Sequence, residues 1–335
     1  MREVRTGLVG LVLSGMLLAG LYRSLNLPLV GEALLGADRA WLAISVGMIV
    51  PITLCRAVRF FWIAPAGALR GVGEALRLTL AASALNVFLP AKSGDLIKSY
   101  VVARGRETAT GVAVAMVVYE RLADLFGLIF WCVLGWLVAR PQGTGVPSAF
   151  WLLLGGAGAV CAVLVSSERA AAWSRGRLAR TLPHGGERKA KASRHVLSRL
   201  RELAAGWPDL LRTLRGHRPW IVLFSVVLWL VQLWQIWLFT VALSVDIPFM
   251  VCASLSAVAL MAGQLPFTFA GLGTRDLALV LLLSPYMAPE SAAAMGILIA
   301  TRSLLPPLLG LPVMRPYVSS VIQDARRWRR EMAAS

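Results

Sequence analysis

Long apolar runs recur along the whole chain, at residues 6–22, 41–62, 74–89, 122–138, 148–166, 220–245, 248–267 and 292–313. A helix needs about 20 largely apolar residues to cross a hydrocarbon core of roughly 30 Å. In lipid every backbone N–H and C=O must be satisfied internally, so continuous runs of this length are read as helices. The composition agrees, with 58% hydrophobic and only 15% charged residues, against about 25% charged in a soluble domain. The fold class is therefore all-α: a polytopic membrane protein of about eight transmembrane helices. Two further stretches, 94–103 with 108–119, and 271–284, are too short to span and read as broken or re-entrant segments. The first run follows Arg2 and Arg5 and ends in small residues at Ala19 and Gly20, as a cleavable signal does. With so many spans after it, it is read as an uncleaved first helix.

The charge balance is uneven. The chain carries 34 Lys and Arg against 17 Asp and Glu. Residues 167–219 hold thirteen of the cations and only four acids, and the tail adds Arg315, Arg326, Arg327, Arg329 and Arg330. Basic loops of this kind favour the cytoplasmic side, so both regions are placed there, beside anionic inner-leaflet lipids. No nucleic-acid recognition module accompanies them, and no nucleic-acid partner is expected. Cys55, Cys132, Cys161 and Cys252 are isolated within apolar runs, and His184, His195 and His217 all lie in the basic loop. That pattern offers no metal-ligand spacing, so neither metal nor cofactor is expected.

The basic loop divides a single membrane domain into a front half, 1–166, and a back half, 220–314, followed by the tail 315–335. The halves resemble each other at their rare residues. The front has Leu89-Pro90, Gly94-Asp95-Leu96 and then Arg121; the back has Leu265-Pro266, Gly271-Leu272-Gly273, Asp276-Leu277 and then Arg302. Asp95 to Arg121 is 26 positions and Asp276 to Arg302 is also 26, with Ala113 and Ala294 coinciding in the same ungapped register. Each half reads as an apolar helix, a Pro/Gly break, a short arm and a helix bearing an arginine. With the N-terminus inside, the third run ends outside at Pro90 and the run from Pro248 ends inside at Phe267. That makes the halves an inverted repeat, an arrangement used for alternating access around a midplane site. It also puts Lys92, Lys98, Arg104 and Arg106 toward the outside, against the positive-inside bias.

A charge at the centre of a membrane helix costs about 2.5–3.5 kcal/mol on insertion scales, so such residues are normally paired or functional. Asp95 and Lys98, and Arg121 and Asp124, are three apart; Glu120 and Asp124 are four apart; each pair shares a helix face. Arg56 and Arg59, beside Phe60, Phe61 and Trp62, are read as snorkelling to the interface. Around the two breaks, bare N–H groups at Gly94 and Gly273, reinforced by Lys92, Lys98, Arg121, Arg275 and Arg302, suit an anionic group, most simply a lipid phosphate.

"LNVFLPAKSGDLIKSYVVARG" followed by "VVYERLADLFGL" resembles the signature of the lysylphosphatidylglycerol synthase transmembrane region family, a flippase-like family. The matching positions are Asn86, Pro90, Gly94, Asp95, Lys98, Glu120, Arg121 and Asp124. "LPFTFAGLGTRDLALVLLL" is similar to the family's second motif through Pro266, Gly271, Gly273 and Asp276. Lys92 stands where many members have Arg, and Phe269-Ala270-Gly271 with Asp276 stand where many have Pro-Gly-Gly and Glu. The resemblance implies a lipid-translocating domain in a bacterial cytoplasmic membrane, like the flippase domain of multiple peptide resistance factors. About two dozen residues follow Val313, far short of a domain of roughly 100, so synthase activity is expected to be absent. The leading expectation is a transporter of an anionic phospholipid or glycolipid, with no catalytic residue. The alternatives are an intramembrane lipid-modifying enzyme and an envelope-biogenesis scaffold. A homo-oligomer is left open.

Overall fold

The computed structural model describes residues 2–88, 94–105, 108–167, 205–264 and 273–334. Among these, every regular element is a helix. They are α1 (Arg2–Arg23), α2 (Leu27–Leu35), α3 (Arg39–Gly47), α4 (Ile49–Ile63), α5 (Val72–Phe88), α6 (Leu96–Gly105), α7 (Thr110–Ala139), α8 (Ser148–Ser166), α9 (Arg218–Ala242), α10 (Phe249–Ala262), α11 (Thr274–Leu283) and α12 (Pro289–Ala334). Residues 205–213, just before α9, are also helical. Five stretches are long and apolar enough to cross a membrane: Arg39–Ile63, Thr110–Ala139, Ser148–Ser166, Arg218–Ala242 and Pro289–Ser320. The chain is a multi-pass helical membrane protein.

Three expected segments change. The segment 108–119 is not a separate arm but the first part of α7, which runs unbroken for 30 residues, about 45 Å at 1.5 Å per residue. Runs 41–62 and 248–267 are also altered: the first is α3 and α4 meeting at Met48, and the second ends as α10 at Ala262. Helix α12 continues for 46 residues through Pro306, Pro307, Pro312 and Pro316. Each proline removes one intrahelical bond, a loss that neighbouring helices make tolerable within a membrane protein.

Helices α5 and α6 form one hairpin and α10 and α11 another, and each hairpin packs against the long helix that follows it. The helix before each break also lies along the long helix of the other half, α5 on α12 and α10 on α7. The first of these contacts needs Gly310, where a Cβ would run into the Leu80 carbonyl.

The hairpins open to opposite ends of the bundle. Val102 near the end of α6 is buried with Phe60, Ala75, Trp207 and Ile221, at the N-terminal end of α9. Leu282, Leu283 and Met287, closing α11, are buried with Phe239 and Ile247 at the other end, where the Gln142 backbone N–H donates to Tyr286 Oη at 2.8 Å. The described part of the run 248–267, helix α10, therefore does not traverse the bundle, since α11 returns to the end from which α10 set out; residues 265–267 lie outside the described residues. Arg104, at the end of α6, lies at the same end of the bundle as 205–213 and the start of α9, so it shares the side of the basic loop instead of facing it from across the bundle. Lys92 and Arg106 lie outside the described residues.

Candidate functional site

Two apolar cores occupy the ends of the bundle, one around Phe60, Met116 and Leu211, the other around Leu128, Phe239 and Leu283. Between them the middles of α4, α7, α9 and α12 and the inner ends of α6 and α11 contribute a layer of charged and amide side chains. In the front half this layer is closely paired. Lys98 Nζ donates to Glu120 at 2.9 Å and lies 3.8 Å from Asp95, with the Phe60 ring centroid 4.6 Å away. Arg121 pairs with Asp95. Arg59, 1% exposed, donates to Asp124 at 2.6 Å and lies 3.6 Å from Glu120. Asp124 also accepts from Trp229 Nε1 at 3.2 Å, and Ser225 Oγ accepts from Arg59 at 3.2 Å.

Two sequence expectations are corrected here. Arg121 and Asp124 share a helix face but not an ion pair: Arg121 reaches across to α6 and Asp124 to α4. Arg56 and Arg59 do not snorkel. Arg59 is enclosed by two carboxylates of α7, and Arg56 Nη2 donates to Gln232 Oε1 on α9 at 2.5 Å. The i, i+3 pair Asp95 and Lys98 stands as read, though each member holds a stronger partner elsewhere.

Gly94 is held tightly against α5. A Cβ there would stand 2.6 Å from the Asn86 backbone nitrogen and 2.8 Å from Asn86 Oδ1, so only glycine lets the arm start beside Asn86. At the second tip Gly273 takes φ 92°, a left-handed conformation natural to glycine. Its N–H donates to Asp276 Oδ2 at 3.1 Å, so the carboxylate caps its own helix. Arg275 Nη2 donates to Asp276 Oδ1 at 2.7 Å and to the Gly296 carbonyl at 3.4 Å. The N–H expected to greet an anion is thus occupied by Asp276. Pro90, Lys92 and Gly271 lie outside the described residues.

The back half differs where it matters most. Arg302 Nη1 donates to Gln235 Oε1 at 2.5 Å and to the Gln232 carbonyl at 3.3 Å, and among the described residues no carboxylate lies within ion-pair distance. The sequence shows why. In the register that aligns Arg121 with Arg302, the positions of Lys98, Glu120 and Asp124 are taken by Leu279, Thr301 and Leu305.

Gln232 and Gln235, both 1% exposed, are the functional candidates that sequence reasoning missed. Two amides three apart in the middle of the apolar α9 face one way, as Arg56 and Arg59 do on α4. That shared spacing was the available signal.

Fold and charged layer together define a polytopic membrane protein organised around a polar waist. A family model described as lysylphosphatidylglycerol synthase TM region matches residues 7–310, and the chain belongs to that family. Among curated proteins none matches.

Proposed function

We propose that this protein moves an anionic lipid, a phospholipid or glycolipid, across the bacterial cytoplasmic membrane, with the headgroup passing through the polar waist and the acyl chains remaining in lipid. Membership of a membrane-lipid family supports the lipid part of this reading. The observation that carries the rest is the excess of positive charge at the middle of the bundle. Among the described residues the hydrogen bonds of Arg56 and Arg302 go to amide and carbonyl oxygens, while Arg59, Lys98, Arg121 and Arg275 are matched by Asp95, Glu120, Asp124 and Asp276. Two half-buried cations with no ion-pair partner among the described residues are costly at membrane depth, and an arriving phosphate would relieve that cost.

The opposed hairpins and the exchanged contacts of α5 with α12 and α10 with α7 support an inverted repeat, the design that lets one half rock against the other. On this reading the basic loop 167–219 and the tail are cytoplasmic, and the protein acts as a transporter rather than an enzyme. The front carboxylates fasten helices, since each already holds a cation. The direct test is reconstitution into liposomes containing fluorescent phosphatidylglycerol, with the dithionite-accessible fraction followed over time. Wild type is expected to accelerate transbilayer movement and Arg302→Gln to reduce it at least tenfold. Wild-type movement no faster than in protein-free vesicles overturns the reading.

A further inference from the structure

The charged layer contains two chemically different places, and only one has spare capacity for a ligand. The front cluster sets Arg59, Lys98 and Arg121 against Asp95, Glu120 and Asp124, three cations for three carboxylates. Lys98 and Arg59 are also buried, at 4% and 1% side-chain exposure, beneath the residues they pair with. A negative headgroup entering there would have to displace a carboxylate and leave it buried without a partner.

On the face of α9 the balance is reversed. Arg56 from α4 and Arg302 from α12 both bond to one residue, Gln232, the first at its side-chain oxygen and the second at its carbonyl. Gln235 accepts from Arg302 and donates its own Nε2 to the Ser45 carbonyl at 2.5 Å, which fixes the amide's orientation. The acceptors that the two guanidiniums bond are therefore amide and carbonyl oxygens, which hold donors in place without neutralising them; Asp124 and Glu120 act on Arg56 only from beyond ion-pair distance, each already held by another cation. Gln232 Nε2 is buried and has no hydrogen-bond partner. A guanidinium brings five N–H donors, and among the described residues Arg56 makes one hydrogen bond and Arg302 two. Unspent groups here are donors and positive charge. Buried donors of this kind are nearly always satisfied in native proteins, so an orphan asks for a partner.

We infer that Arg56, Gln232 and Arg302 form a preorganised seat for one acceptor-only anionic group, the phosphodiester of a lipid headgroup or a free phosphate, and that the front cluster around Lys98 is not this seat. The inference rests on the anionic-lipid reading above and narrows it, by moving the headgroup from the Gly94 arm to α9. A phosphodiester fits because its two non-bridging oxygens accept several N–H bonds and carry a charge that guanidinium donors recognise in a planar fork. Gln232 is a positioning residue as well as a donor, because its two oxygens hold both arginines.

The test uses the full chain purified in mild detergent, with native mass spectrometry of its retained lipids and thermal unfolding measured in parallel. Phosphatidylglycerol is added in one arm and inorganic phosphate in the other. Wild type is expected to retain phosphatidylglycerol at least tenfold over added phosphatidylcholine. Arg302→Gln and Gln232→Leu are expected to lose that preference, Lys98→Gln to keep it within twofold, and Arg302→Lys to recover part of it. Loss in Lys98→Gln with retention in Arg302→Gln overturns the seat while leaving an anionic-lipid transporter standing. No preference in wild type overturns the anionic reading itself. Protection by inorganic phosphate equal to that by the lipid assigns the seat to a soluble anion and overturns its role as a headgroup site. Should Arg302→Gln fail to fold, Arg56→Gln reads the same seat from α4.

Discussion

Replacing Arg59 by Gln removes the charge that links α4 to α7, and the structure sets the size of the effect. Arg59 is 1% exposed and its bond to Asp124 is 2.6 Å, the shortest contact Asp124 makes. Glu120 would keep Lys98 at 2.9 Å, whereas Asp124 would be left with Trp229 Nε1 at 3.2 Å. Breaking one partner of a buried ion pair costs about 3–5 kcal/mol because the other charge stays buried. Asp124 retains a donor and 20% exposure, so the lower end, about 3 kcal/mol, is expected. At about 2.1 cal/mol/K of unfolding entropy per residue, a chain of 335 residues shifts by roughly 1.4 °C per kcal/mol, so that is a fall of about 4 °C in the unfolding midpoint. Lys98→Gln is expected to cost much less, about 1–1.5 kcal/mol, since Asp95 keeps Arg121 and Glu120 keeps Arg59 at 3.6 Å. The assay is thermal unfolding in one detergent, followed by tryptophan emission, with Asp124→Asn and the double variant completing a cycle. A coupling of about 1–3 kcal/mol between Arg59 and Asp124 is expected. An Arg59→Gln protein as stable as wild type, or a strictly additive cycle, would refute the pairing on which the charged layer is built.

Other outcomes follow from packing and placement. Gly310→Leu drives a side chain into the Leu80 carbonyl and is expected to cost about 1–3 kcal/mol with loss of transport, read by unfolding and the liposome assay together. Gly273→Ala forces a left-handed alanine, with its Cβ 3.0 Å from Leu17 Cβ, and is expected to cost about 1–3 kcal/mol; an unchanged midpoint would contradict the conformation at that tip. In a background without native cysteines, Arg104→Cys is expected to label from the same face as Gly216→Cys, and Ser284→Cys from the opposite face. Labelling of residues 104 and 284 from one face would rule out hairpins that open to opposite ends.

The membrane class and most helix positions were legible in the sequence because apolar runs have a length set by the bilayer. What misled was the meaning of charge within a run. Glu120 and Arg121 fell between a short segment ending at 119 and a run starting at 122, yet α7 continues through them because their partners come from the side, on α4 and α6. Arg59 read as an interfacial residue because its counter-ion is 65 positions away, beyond any helical spacing rule. The short α2 went unseen because its nine residues carry Pro28 and Glu32 and follow the first run at once. The matched spacing of Asp95 to Arg121 and Asp276 to Arg302 was visible, but its consequence was not. Equal spacing suggested two equivalent half-sites, whereas Leu279, Thr301 and Leu305 strip the back half of the groups that neutralise the front. Only the cross-chain contacts of Gln232 and Gln235 reveal where the unmatched charge resides.

Cryo-electron microscopy of the protein in nanodiscs of mixed phosphatidylglycerol and phosphatidylcholine would locate the anion by sight. Phosphate-sized density within hydrogen-bond reach of Arg302 and Arg56, with Gln232 Nε2 donating to it, is the expected result. Density on Lys98 and Arg121 with Asp95 turned away, or a waist in which Arg302 has found a carboxylate of its own, would contradict it.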